Sequence, residues 1–313
     1  MMESAIPPTE RTRLAVAGAR ANVAAVLGNQ PRGDVIRNNV FAGVLMLAIL
    51  IALAGLMALL IQAFVEGAPA LTSKLLTEPP STIDTANAGF RPALIGSVMM
   101  ITIVIAVIVP LGVGAAIYLE EYADGTRWWN RAIELNIQNL AAVPSIIYGI
   151  LGLGLIVRGP LDTGFILLAG ALTLSLLVLP VVIIAAREAV RAVPPSIREG
   201  ALALGSTQWQ TIRHQVLPAA IPGVATGVIL AVSRALGETA PLLLVGATVF
   251  VTFDPEPLSG NYSALPVQIF QYALRPQEEF KTLAAAGIIL MLAVLIAMNS
   301  VAIWLRNRYE QRW

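Results

Sequence analysis

One arginine and one glutamate lie within a long apolar stretch of the sequence. Arg234 is about 15 residues, or roughly 22 Å of helix, from either end of the apolar segment 219–251. Glu238 follows four residues later, which places both side chains on one face of a helix. Ionisable residues inside a membrane span usually face a partner or a water-filled cavity. The pattern predicts a charged pair near the middle of a membrane helix.

The chemistry that this pair would support is the binding of an oxyanion. A guanidinium group offers a planar fork that matches two phosphate oxygens. Glu238 would hold Arg234 in position when no oxyanion occupies a pathway through the membrane. It would also accept a hydrogen bond from a protonated phosphate oxygen, which sulfate cannot donate. The alternative is a structural ion pair that neutralises itself.

Five other polar residues are candidates for lining the same pathway. For each of them taken alone the structural interpretation is favoured, because membrane helices often bury small polar side chains against other helices. They are Ser233, Thr239, Asn139, Ser145 and Tyr148.

The composition shows what kind of protein positions these residues. Of 313 residues, 57% are hydrophobic and only 12% are charged, against roughly 25% charged residues in soluble domains. Six apolar segments are long enough to span a bilayer or nearly so. They cover residues 40–65, 93–118, 140–157, 165–186, 219–251 and 283–304. We therefore expect an all-α membrane protein with six transmembrane helices.

The distribution of basic residues predicts the orientation in the lipid bilayer. The loops on the side of the N-terminus hold most of the 20 Lys and Arg residues. The other side holds only Lys74, Arg91, Arg158, Arg275 and Lys281. Because cytosolic loops carry the excess of basic residues, we expect both termini in the cytosol. Residues 1–39 would be a cytosolic tail and residues 40–313 a transmembrane domain.

Several classes of function are excluded by residues that the sequence lacks. It contains no Cys and one histidine, His214, so we expect no metal site built from thiolates or imidazoles. The net charge of +1 gives no basic surface for nucleic acid. Neither lysine follows a glycine, so the chain has no P-loop. We expect no catalytic residues, and we interpret Glu120 and Glu121 as a solvated boundary of the second span.

The loop 187–218 carries a second group of informative residues. Pro194 and Pro195 end the fourth span, and Gly205 is placed to end a short helix. Ser196–Glu199 and Thr207–Gln210 both have the spacing of a capping box. Trp209 begins the apolar face of the second helix, and Leu217-Pro218 closes the loop. The pattern predicts two short amphipathic helices that either insert into a groove on a partner or form an ordinary elbow.

The loop resembles the EAA loop of ABC importer permeases. Glu199-Gly-Ala-Leu-Ala-Leu-Gly205, followed by Leu217-Pro218, matches the spacing of that motif. Gly200 replaces its first alanine and Gln215 its isoleucine. The resemblance implies that the loop is a coupling helix that sits in a cleft of an ATPase subunit. The residues that it implicates are Ser196, Glu199, Gly200, Ala201, Gly205, Trp209, Leu217 and Pro218.

Four further stretches, 139–149, 233–241, 275–280 and 302–313, make the chain similar to the A-type permease subunits of phosphate-specific ABC importers. This resemblance implies a MetI-like type I importer fold and a path for inorganic phosphate shared with a C-type permease. It also implies a dimer of ATPase subunits, which would bind the ATP and Mg²⁺, and an extracytoplasmic phosphate-binding protein. No cofactor would bind to this chain itself.

Two alternative functions remain. The first is the same machinery for another oxyanion, such as sulfate or molybdate. The second is an ATP-independent carrier or channel, although carriers often show inverted repeats with broken helices, and the sequence shows no such symmetry.

A short segment near the end of the chain, 265–274, is predicted to be an interfacial helix. Val267, Phe270 and Leu274 would share one apolar face. That face would either cap the lipid surface or bind an external partner.

Overall fold

The computed structural model describes residues 32–247 and 250–309, and this part of the chain is helical without strands. Of the predicted tail, residues 1–31 lie outside the described residues, and residues 32–39 are the start of a helix. The chain divides into two compact units, 1–62 and 63–313. The first unit contains most of helix α1, Arg32–Gly67, whose large hydrophobic side chains between Ile36 and Val65 are exposed.

The second unit contains the remaining helices of the described residues. They are α2 (Lys74–Thr77), α3 (Arg91–Ile117), α4 (Trp128–Ala141), α5 (Ser145–Gly152), α6 (Leu167–Arg191), α7 (Pro195–Ala203), α8 (Gln208–Thr211), α9 (Leu217–Gly237), α10 (Ala240–Leu244), α11 (Leu265–Ala273) and α12 (Glu278–Tyr309). Three π-helical segments extend or join them: Tyr118–Tyr122 after α3, Leu153–Val157 after α5, and Ile212–Val216 between α8 and α9.

Five described helices are long and apolar enough to cross a membrane. They cover Ile36–Ala70, Arg91–Tyr122, Leu167–Arg191, Gln208–Gly237 and Glu278–Arg308. The third predicted span is a bent pair instead, in which Trp128–Ala141 and Ser145–Val157 meet at 104°. The helix bends at Pro144, because a proline disfavours helical conformation in the residue before it. The all-helical membrane architecture is therefore confirmed, with a bent helix pair in place of the third span.

The predicted fifth span, 219–251, has the wrong bounds. The helix begins at Gln208, continues through the π-helical segment into α9, and ends at Gly237. Glu238 leaves the helical conformation with φ −75° and ψ 124°, and Pro241 cannot donate the next helical hydrogen bonds. Arg234 therefore lies in the last turn of α9, not in the middle of a continuous helix.

Helix α6 is the centre of the main core, with α3 and α9 packed along it. Small residues bring these helices close together. A Cβ atom on Gly223 would lie 2.6 Å from the Cβ of Ala189, and Gly227 sits even more tightly against Ala185. These two glycines thus serve helix packing and do not leave space for a solute.

A second core lies under α11, and here the predicted interfacial helix is only partly correct. Val267 is buried, but Phe270 and Leu274 are exposed. The buried face carries Leu265 and Tyr272 instead, and the Tyr272 ring meets that of Phe90 edge-on at 5.3 Å. Burial raises the pKa of Tyr272 to about 12. Helix α11 therefore packs into the core through this face, while Phe270 and Leu274 remain exposed on the other.

Candidate functional site

The predicted charged pair forms at the end of α9. The Nε of Arg234 lies 3.3 Å from Oε1 of Glu238, although Glu238 stands just beyond the helix. The arginine side chain is 45% exposed and the glutamate 17%. Because only the Nε of Arg234 has a hydrogen-bond partner among the described residues, the other N–H groups of the fork are available to a ligand.

Two of the predicted pathway residues flank this pair. The hydroxyl of Ser233 lies 2.8 Å from the carbonyl oxygen of Ile229 and 2.7 Å from Oδ1 of Asn299 on α12. It therefore joins two helices. Thr239 precedes α10 without capping it, and its side chain is half-buried.

The three candidates from the third span occupy different environments. Tyr148 is buried, and its hydroxyl donates to the carbonyl of Leu140 across the bend at 2.8 Å. It still lies close enough to Arg234 for an electrostatic interaction. Ser145 begins α5 and is half-buried, whereas Asn139 is exposed in the last turn of α4. In the part of the chain that is described, neither of these two bonds to Arg234 or Glu238.

Contact between α5 and α10 holds the polypeptide around the pair in place. A Cβ atom on Gly149 would lie only 2.7 Å from the Cα of Pro241 and 2.9 Å from Cδ1 of Leu244. Glycine is required at this position because the backbone of α10 runs directly against that of α5. This contact orders the chain just after Glu238.

The loop 187–218 forms the predicted elbow, with two corrections. The Ser196–Glu199 capping box is wrong because Pro194 is the N-cap of α7 and Ser196 lies inside the helix. The second box is confirmed: the Thr207 N–H donates to the Gln210 side chain at 2.8 Å, and the Gln210 N–H donates to the Thr207 hydroxyl at 3.3 Å. Leu217-Pro218 does not close the loop, because the helix continues through it.

Gly205 makes the turn between the two helices of the elbow. Its φ is +87°, in the left-handed region that favours glycine. Its N–H donates to the carbonyl of Leu202 at 2.9 Å, and that of Ser206 donates to the carbonyl of Ala201 at 3.2 Å. These two bonds form a Schellman motif, as the sequence predicts for the end of this helix.

The elbow turns one set of side chains outward. Leu204 is 90% exposed and Trp209 is 51% exposed. Glu199 and Gly200 are also exposed, and Ala201 is half-buried. In the described part of the chain, Glu199 has no hydrogen-bond partner. Exposed apolar side chains beside an unpaired carboxylate suit contact with another protein.

Glu120 and Glu121 are not a solvated boundary, contrary to our expectation. Glu120 bonds to the Nε of Arg187 at 2.9 Å and to that of Arg191 at 3.0 Å. Arg187 also bonds to Glu134 at 2.6 Å. Glu121, whose side chain is only 9% exposed, bonds to Arg198 at 2.8 Å. The excess of arginine in residues 187–198 was a sequence signal for ion pairs, but it did not identify the glutamates that form them.

A hydrogen-bonded turn at Asp124–Thr126 follows Glu121 in the chain. The carboxylate of Asp124 accepts hydrogen bonds from the Thr126 N–H at 2.9 Å and from the Thr126 hydroxyl at 2.6 Å. These bonds hold the pKa of Asp124 below its usual value. Among the described residues, no three His, Cys, Asp or Glu side chains are grouped as metal ligands.

Comparisons with known proteins identify relatives of the chain. Residues 108–313 match the family of binding-protein-dependent transport system inner membrane components. The chain is 33% identical to the phosphate transport system permease protein PstA of Yersinia pestis, covering 85% of this chain and 88% of that protein. It is 35% identical to PstA of Haemophilus influenzae, covering 84% and 91%.

A solved structure supports the fold. The bacterial alginate ABC transporter, in complex with its alginate-bound periplasmic protein, contains a chain that matches with a TM-score of 0.58 at 16% identity. The match covers 86% of this chain and 94% of that one.

Proposed function

Because the chain belongs to the family of binding-protein-dependent transport system inner membrane components, we propose that it is the A-type permease subunit of an ATP-driven importer of inorganic phosphate. The two relatives named above are phosphate permeases matched over most of their length. The observation in the structure that carries the proposal is the partly exposed guanidinium of Arg234 at the interrupted end of α9.

The proposed assembly contains three other kinds of subunit. A C-type permease would complete the phosphate path, an extracytoplasmic binding protein would deliver phosphate, and a dimer of ATPase subunits would bind ATP and Mg²⁺. This chain would hydrolyse nothing, and its termini would lie in the cytosol. The loop 187–218 would face the ATPase, with Leu204, Trp209 and Glu199 as contacts.

Arg234 would bind phosphate through the N–H groups that Glu238 leaves free. A guanidinium fork is well suited to two oxygens of one phosphate. Glu238 would keep the fork oriented before phosphate arrives, and would accept the proton of a monoprotonated phosphate oxygen in a hydrogen bond. Ser233 and Tyr148 bond to neighbouring helices around this point. Thr239 would line the path beside the pair, and Asn139 and Ser145 would line it farther away.

The function is tested by uptake of labelled phosphate into liposomes that contain this chain, its candidate C-type permease and ATPase, with the binding protein present. Uptake that requires ATP and persists in excess unlabelled sulfate is the expected result. Inhibition by sulfate would change the substrate to another oxyanion. Uptake without ATP would contradict the coupling role of the 187–218 loop.

Arg234→Gln should reduce phosphate uptake to background while leaving assembly with the ATPase intact, because glutamine keeps the polar character but loses the charged fork. Uptake and co-purification of the ATPase are measured on the same preparation. The control is Lys281→Gln, which removes an exposed cation paired with Glu278 within one helical turn. Normal uptake by Arg234→Gln would contradict the proposal, and failed assembly would favour a purely structural ion pair.

A further inference from the structure

Both helices of the elbow attach to the same residue of another helix. The carboxylate of Glu121, at the π-helical end of α3, accepts hydrogen bonds from Arg198 on α7. The backbone carbonyl of Glu121 accepts a hydrogen bond of 2.6 Å from the side chain of Gln208, the first residue of α8. The two helices of the elbow, one on each side of Gly205, therefore both bond to the π-helical segment that follows α3.

Arg198 makes bonds to two elements at once. Its Nε and Nη2 lie 3.0 Å and 2.8 Å from Oε1 of Glu121. Its Nη1 donates to the carbonyl of Val193 at 2.6 Å, and Nη2 donates to that of Val190 at 2.8 Å. These carbonyls lie at the C-terminal end of α6, where a cation interacts favourably with the helix dipole. One side chain thus joins α7 to both α3 and α6.

The contact between Glu121 and Arg198, called the joint below, lies in surroundings that make it rigid. The side chains of Arg198 and Glu121 are 22% and 9% exposed, so solvent screens their attraction only weakly. A guanidinium is planar and loses less freedom for each hydrogen bond than a flexible ammonium group does. Beneath the joint, the buried side chains of Val190, Val193 and Val216 form a small apolar cluster.

We propose that Glu121 and Arg198 are positioning residues that make the coupling elbow, α3 and α6 move as one body. When the ATPase displaces α7, the pair would transmit the displacement to the two helices that form the main core with α9. Neither residue would touch phosphate or ATP. The inference rests on the proposed function, because it requires the elbow to be the surface that the ATPase moves.

The first test measures phosphate moved per ATP hydrolysed in the reconstituted complex. Glu121→Gln keeps the size of its side chain, Arg198→Gln leaves a shorter polar one, and each removes the ion pair. We expect the ratio to fall roughly tenfold while ATP hydrolysis continues, because losing a charge-assisted pair leaves the elbow docked but loosely attached. Arg127→Gln is the matched control, since it removes an exposed pair with Asp124 near the same end of α3.

The second test uses the absence of cysteine from the chain. Glu121→Cys combined with Arg198→Cys removes the ion pair and provides the only two thiols of this subunit. A bifunctional thiol reagent with the reach of a Glu–Arg pair would then replace the ion pair by a covalent link. We expect the double variant to show the same loss as the glutamine variants, and cross-linking to restore the ratio to near the wild-type value.

The outcomes separate the inference from the function on which it rests. Absence of ATP-dependent phosphate uptake by the wild-type complex would overturn both. Normal wild-type uptake, with an unchanged ratio in Glu121→Gln, would overturn only the joint. A cross-link that forms but does not restore transport would also overturn the joint. If the elbow, α3 and α6 move as one body, a covalent link between them should not impede transport. If the glutamine variants do not assemble, Arg198→Lys is used, because an ammonium group cannot bond Glu121 and the carbonyls of Val190 and Val193 at once. The ratio should still fall, and an unchanged ratio would overturn the inference.

Discussion

At the scale of single residues, local backbone chemistry decides the shape of the coupling elbow. Thr207 and Gln210 complete a capping box as their spacing predicts, whereas Ser196 does not cap because Pro195 occupies the first position of α7. Proline is favoured there, since its missing N–H would have no partner in the first turn. Two candidates with the same spacing thus behave differently because of one neighbouring residue.

Gly205→Ala should loosen the elbow. A non-glycine residue in the left-handed region costs about 1–2 kcal/mol, and Gly205 has a φ of +87°. We expect weaker binding of the ATPase to the purified permease, measured by co-purification at increasing salt and detergent. The control is Gly114→Ala on α3, at a helical position outside the elbow where nothing lies within 4 Å of the added Cβ. That substitution should be neutral or stabilising by up to about 1 kcal/mol, and equal losses in the two variants would show that the backbone conformation of Gly205 is unimportant.

At the scale of helices, two interruptions build the candidate phosphate site. Pro144 separates α4 from α5, and the chain after Gly237 leaves α9 to form α10. The two short helices that result pack against each other beside Arg234. Interrupted helices expose polar backbone groups, which inside a membrane protein are tolerated only where they are buried or line a wet cavity.

Gly149→Ala should destabilise this contact, because the new methyl group would meet the Cα of Pro241 at 2.7 Å. Overpacking of this kind costs about 1–3 kcal/mol. A lower thermal unfolding midpoint in detergent and reduced phosphate uptake are expected. Gly154→Ala is the comparison, since no atom lies within 4 Å of a Cβ added there. If both variants unfold at the wild-type temperature, α5 and α10 do not pack as closely as the structure indicates.

At the scale of the whole molecule, the two ends of the second unit are held together differently. The end with the elbow carries the ion pairs of Glu120 and Glu121, whose carboxylates are mostly buried. At the opposite end, Arg91 and Asp254 form a pair of 2.7 Å in which both side chains are about half exposed. Exposed pairs contribute little to stability, whereas partly buried charge-assisted networks contribute more.

This difference predicts unequal effects of two similar substitutions. Glu120→Gln should lower the free energy of unfolding by about 2 kcal/mol, because it weakens hydrogen bonds to both Arg187 and Arg191. Asp254→Asn should cost less than about 1 kcal/mol. Both are measured as thermal midpoints of the purified protein at low and high salt. Equal shifts would mean that the network at the elbow is no stronger than an ordinary surface pair.

The sequence alone determined the features that depend on neighbouring residues. Long apolar runs predicted the membrane helices, and the spacing of four predicted the Arg234–Glu238 pair. Gly205 and Thr207 predicted the turn of the elbow. Each of these depends on interactions within one or two helical turns, so periodicity and residue type are sufficient. Pro241 is a local signal for the end of α9 at Gly237. The apolar residues that continue to position 251 nevertheless led to a longer predicted helix.

Only the tertiary structure decided which distant residues meet. Arg198 and Gln208 lie 77 and 87 residues from Glu121 along the chain, and nothing in their spacing specifies that partner. Likewise, the buried face of α11 differs from the predicted one because Phe90 and the start of α12 cover Leu265 and Tyr272. A membrane helix that is apolar on all sides carries no periodic signal of its neighbours, so packing alone sets the contacts that join the elbow to the core.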